Sequence, residues 1–164
     1  MSNAAASDIL HDATFFKNGL EDLSQPFGLE LGKTRLKDLE GRFVIACHQG
    51  EGYTGGPVVQ VIQRYVDEPP SDCIILAFNA KNVLDAAWFT FPSSAYKDAL
   101  SYMSMEFQLV DTNNPIKGSD SALFYFNAGQ IALHSPLFSQ EMTIAYRTHE
   151  FDRARMSVAA DTYE

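Results

Sequence analysis

Apolar residues alternate with polar or small ones in several short runs along the chain. Ile74, Leu76 and Phe78 fall on one side of such a run, and Ala122, Phe124 and Phe126 do the same in another. Period two is the strand repeat, because successive side chains point to opposite faces of a sheet. Similar runs predict strands over residues 58–65, 83–91, 130–134 and 142–148. Asn79-Ala80-Lys81-Asn82 and Asn127-Ala128-Gly129-Gln130 read as hairpin turns, since Asn and Gly tolerate positive φ. Two other segments carry the helical period. Leu36, Leu39 and Phe43 share a face, with Thr34 as N-cap. Tyr96, Ala99, Leu100, Met103 and Phe107 form a stripe behind Pro92, with Ser93 or Ser94 as cap.

The order of these elements suggests a repeat. Residues 71–80 (SDCIILAFNA) and 119–128 (SDSALFYFNA) are identical at five of ten positions without a gap. A helix-like segment precedes each copy, one holding Leu36-Lys37-Asp38-Leu39 and the other Tyr96-Lys97-Asp98-Ala99. The expectation is an α+β fold made by tandem duplication of a helix-plus-antiparallel-strands unit, with the helices packed on one face of an antiparallel sheet. Residues 26–154 then form one domain, with repeat 1 at about 27–91 and repeat 2 at about 92–148. Residues 1–25 read as a flexible arm and 155–164 as a tail.

Composition narrows the function classes. At 46% hydrophobic and 20% charged, 164 residues suffice for one packed core. A net charge of −9 with no basic run argues against nucleic acid, whose phosphates require clustered Lys and Arg. No run of about eighteen apolar residues is present, so no membrane span is expected. The opening Met1-Ser2-Asn3-Ala4-Ala5-Ala6 has neither a charged nor an apolar leader region, and Ser2-Asn3-Ala4 reads as the scar of a removed expression tag. Cys47 and Cys73 lie in strand-like segments, where buried thiols are expected and a disulfide is the sharper alternative. With His48 they offer no metal-ligand spacing.

Candidate chemistry is sparse. Gly32-Lys33-Thr34 falls short of a phosphate-binding loop, since Phe27 stands where the first glycine is needed. The glycine-rich 50–56 loop lacks a following lysine and reads as a hairpin tip, with Tyr53 at its centre. His11, His48, His134 and His149 are scattered, no G-x-S-x-G elbow occurs, and Asp67-Glu68 and Glu21-Asp22 read as solvated turns. No catalytic residue, metal ligand or cofactor site is assigned. The run 83–91 is apolar on both sides: Leu84, Ala86 and Trp88 on one, and Val83, Ala87, Phe89 and Phe91 on the other. Such a strand is central, or else turns one side to a partner. Tyr53, Trp88 and Tyr125 are the candidate binding residues, because aromatics dominate contact surfaces.

Residues 27–39, Phe27-Gly28-Leu29-Glu30-Leu31-Gly32-Lys33-Thr34-Arg35-Leu36-Lys37-Asp38-Leu39, resemble the opening of many small bacterial envelope domains. These are the beta-lactamase-inhibitor-protein-like domains and the related outer-membrane assembly lipoprotein group. The glycine that often closes the helix is displaced, and Gly41 comes close. Residues 131–146 also look like small exported bacterial proteins. The resemblance implies a periplasmic or secreted, non-enzymatic module that binds a protein partner through a concave sheet. Two other expectations stand beside it. One is a small-ligand binder with an apolar pocket between helices and sheet, and the other an enzyme using carboxylate or histidine chemistry.

Overall fold

The computed structural model describes residues 22–64, 71, 73–112 and 120–162. Eight strands follow one another: β1 (Phe43–Glu51), β2 (Gly55–Gln63), β3 (Cys73–Asn79), β4 (Leu84–Pro92), β5 (Gln108–Thr112), β6 (Asp120–Phe126), β7 (Gly129–Ser135) and β8 (Glu141–Thr148). Helix α1 (Tyr96–Glu106) joins β4 to β5, and α2 (His149–Thr162) follows β8. All strands belong to one antiparallel sheet in the order β1-β2-β3-β4-β8-β7-β6-β5. Two four-stranded meanders thus meet where β4 pairs with β8, from Ala86 opposite Arg147 to Pro92 opposite Glu141.

This corrects the expected tandem duplication of helix-plus-strands units. Among the described residues the sheet dominates, beside two short helices. The matched segments fall on non-equivalent strands, since β3 is the third strand of its meander and β6 the second. The helices break the pattern as well. Tyr96, Ala99 and Met103 of α1 pack into the main core on one face, whereas Phe151 of α2 packs with Ala77 and Ala86 on the other. The likeness of 71–80 and 119–128 is local, since each is a core strand that ends in an Asn-Ala turn.

The first expected helix is also corrected. Only a single 3-10 turn forms, Leu36–Leu39, and Gly41 at φ +85° ends it before Phe43 opens β1. Thr34 is not its cap. The cap position is Arg35, and the Thr34 hydroxyl instead accepts the Glu30 N–H. The second expected helix is present as α1, preceded by the 3-10 turn Ser93–Ala95. Residues 155–162, read from sequence as tail, continue α2.

The inner face of the sheet carries Val59, Val61, Ile74, Leu76, Phe78, Phe89, Phe91, Phe124, Ile131, Ile144 and Tyr146. The segment from Leu23 to Leu39 and helix α1 cover it. Rings run across this core. Phe27 stacks on Phe89 at 5.0 Å, and Tyr146 meets Phe89 and Phe126 edge-on at 5.8 Å each. The buried Tyr146 hydroxyl donates to the Leu23 carbonyl at 2.8 Å, tying the N-terminal segment to β8. Burial, with Asp22 and Glu106 nearby, holds this phenol far above its ordinary pKa. A β-bulge at Asp85 shifts register, so that Ala86 faces Ala77 while Leu84 faces Phe78. Leu84 therefore joins the inner core rather than the side of Ala86 and Trp88 predicted for it.

Tyr146→Phe keeps the rings and leaves the Leu23 carbonyl buried without its donor. We expect a loss of about 1–3 kcal/mol in urea unfolding. An unchanged midpoint would show that this bond does not hold the segment.

Candidate functional site

The outer face is read most directly as ladders of paired residues. One ladder runs Cys47, Gln60, Ile75, Trp88, Ala145, Ala132, Leu123 and Asp111 across all eight strands. The next runs Val58, Ala77, Ala86, Arg147, Gln130, Tyr125 and Gln108. A third holds Cys73, Thr90, Thr143, His134 and Ser121. These positions carry one Arg and one Asp, in a chain with 12 basic and 21 acidic residues. Charge is sparse along these ladders, their aromatics are Trp88 and Tyr125, and Ala77 and Ala86 are covered by the chain's own Phe151.

Helix α2 doubles back over this face. The Thr148 hydroxyl accepts the Phe151 N–H at 3.1 Å, an N-cap, and contacts Asp85 Oδ1 at 3.4 Å. Glu150 and Asp152 in the first turn suit the positive end of the helix dipole. Asp152 Oδ1 lies 2.9 Å from Arg147 Nε and 3.1 Å from Arg155 Nη2. The Arg147 contact is an ion pair off the N–H direction, since that nitrogen makes no hydrogen bond. Burial lowers the pKa of Arg147, and Asp152 offsets part of that. Phe151 is 1% exposed and closes on Ala77 and Ala86.

Beyond this anchored first turn the helix overhangs a cleft of about 820 Å³. Val58, Ile75, Trp88, Thr90 and Thr143 form its floor, Phe151 and Val158 its helical wall, and Gln49, Glu51, Gly52 and Tyr53 its hairpin wall. Tyr53 and Trp88 each meet the Phe151 ring edge-on, with centroids 5.5 Å apart. The hairpin wall is fixed by a close approach. Any side chain on Gly56 would collide with the Asn79 carbonyl oxygen, so only glycine permits β2 to lie this near β3 here.

Two of the three candidate binding residues therefore come together. Tyr53, 51% exposed at the hairpin tip, and Trp88 on β4 flank Phe151. Tyr125, 44% exposed, shares the face but lies three strands from Trp88, on β6. Phe151 and Val158 escaped the sequence reading because their segment was taken for the domain end and tail. Their i, i+7 spacing was the available signal.

Other candidates stay apart. Cys47 is exposed, Cys73 is half-buried, and neither is in a disulfide. With β2 between them they lie roughly 10 Å apart across two strand spacings, beyond disulfide reach. The expectation of two buried thiols is thus corrected for Cys47. His48, His134 and His149 sit on β1, β7 and the start of α2. His11, Asp67, Glu68 and Glu21 lie outside the described residues. Among the described residues no three His, Cys, Asp or Glu side chains group as metal ligands, and no helix is long and apolar enough to cross a membrane. Lys33 pairs with Glu30 at 3.0 Å in a turn.

Asp85 is the unusual carboxyl. It is 2% exposed, and its Oδ2 and the buried Thr54 hydroxyl both lack a strict hydrogen bond. Burial raises its pKa most and Glu150 adds to this, while Thr54 and Thr148 pull it down.

Comparison with protein-family models, curated proteins and solved structures finds no match for this chain. The resemblance to inhibitor-like envelope domains rests on the residues that suggested it.

A carboxyl whose folded pKa is raised adds stability below its unfolded pKa and loses it as pH rises through the folded value. Asp85→Asn removes this dependence. Relative to the parent, the variant should gain stability as pH rises above about 4, the ordinary aspartate value. Parallel urea titrations with a pH-independent difference would refute the assignment.

Proposed function

We propose that the chain binds a small, largely apolar ligand between α2 and the outer face of the sheet. The observation that carries this reading is the cleft of about 820 Å³ beneath the helix, with Tyr53, Trp88 and Phe151 around it. Ligand sites are concave, mostly apolar and commonly about 300–1,000 Å³, with a few polar groups to orient the occupant. Gln49, Glu51, Thr90 and Thr143 supply such groups. A secured first turn and an overhanging remainder suit a helix that closes on what it binds.

A second reading concerns the rest of the same face. Ala132, Leu123 and Tyr125 continue the charge-poor ladders beyond the reach of Phe151. That surface supports engagement of a protein partner there, with the 50–56 loop at the far side. Tyr125→Ala should then weaken partner capture without altering ligand binding.

The neutral dye Nile red tests the first reading. We expect saturable binding with blue-shifted emission, weakened about tenfold by Tyr53→Ala, the scale of one aromatic contact. Ile75→Trp, which fills the floor, should abolish it. Equal binding by parent and Ile75→Trp would place the dye elsewhere and defeat the proposal.

A further inference from the structure

The cleft has a polarity of its own. Its middle is apolar, with Ile75 and Trp88 below and Phe151 and Val158 beside them. One end opens at the hairpin wall, where Glu51 is the single formal charge among the described lining residues. The other end reaches the hydroxyls of Thr90 and Thr143, which pair across β4 and β8. Among the described residues no Lys or Arg lines it. Of the nearby cations, Arg147 and Arg155 are both engaged by Asp152.

A carboxylate or phosphate ligand would meet Glu51 with no cation to receive it. An ammonium group would meet a carboxylate at the mouth while its apolar body covered the indole of Trp88. Charge complementarity thus selects the sign of the head group, and the apolar middle selects the body. Building on the ligand-binding reading above, we infer that the cleft is specific for elongated apolar amines, with the ammonium at Glu51 and the apolar body between Trp88 and Val158. A neutral alcohol of the same length enters with lower affinity. The corresponding acid binds weakest of the three.

Trp88 is the chain's one tryptophan and lines the floor, so its fluorescence reports occupancy directly. Decylamine, decanol and decanoate share a ten-carbon chain and differ in the head group. Each is titrated at neutral pH, below its micelle-forming concentration, against parent protein and Glu51→Gln. The amine should bind about five- to tenfold tighter than the alcohol, the scale of one charge-assisted contact at a solvent-open mouth. Decanoate should bind weakest. Glu51→Gln should erase the preference for amine over alcohol while both still bind, which a folding defect would not do.

Equal affinity for all three, or preference for decanoate, overturns the amine inference and leaves the cleft reading standing. A preference for amine that survives Glu51→Gln also overturns it. No response of Trp88 to any of the three, together with no Nile red binding, overturns the cleft reading itself.

Discussion

The pairing of β4 with β8 joins what would otherwise be two separate four-stranded meanders. It also places Trp88 beside Ala145 and Phe89 beside Ile144 at the middle of the sheet. From this seam the two faces diverge. Phe89 and Tyr146 gather the ring cluster and the N-terminal segment on the inner side. Trp88, Ala86 and Arg147 receive α2 on the outer side. Residues from 49 to 61 positions apart must meet to make this ladder, so both layers depend on a contact of high loop-closure cost.

The bulge at Asp85 sits at the end of that seam and has two effects. It turns Leu84 inward, and it sets a carboxyl against Thr148, whose hydroxyl caps α2. Local irregularity in β4 is thereby coupled to where the helix begins, and so to the position of Phe151 and the wall of the cleft. Bulges often re-aim side chains near functional sites. Here the re-aimed residues link the core, the cap and the candidate site.

The strands with strict alternation were legible. Ile74, Leu76 and Phe78 point inward with Ala122 and Phe124, as their period requires. Helix α1 was legible from its stripe, and Tyr53 and Trp88 from their chemistry. The global plan was not. Alternation fixes which side chains share a face but not which strands pair, and residues 71–80 and 119–128 match in letters while differing in sheet position. Leu36 and Leu39 suggested a longer helix because 3-10 and α-helical spacings coincide over one turn. Helix α2 was missed because its apolar face is sparse, and what holds it lies in Arg147, Thr148 and Asp85, remote or outside the helix.

An open sheet also has two ends where its hydrogen bonding could be continued by another molecule. The β5 end is short. The β1 end is nine residues long and bears exposed Val44 and Ile45, a combination that invites strand-to-strand accretion. Register shifts after Ile45 and after His48 interrupt its straight run. These irregularities act as a built-in brake on polymerisation: an incoming strand finds only a few residues of regular template before the edge twists out of step.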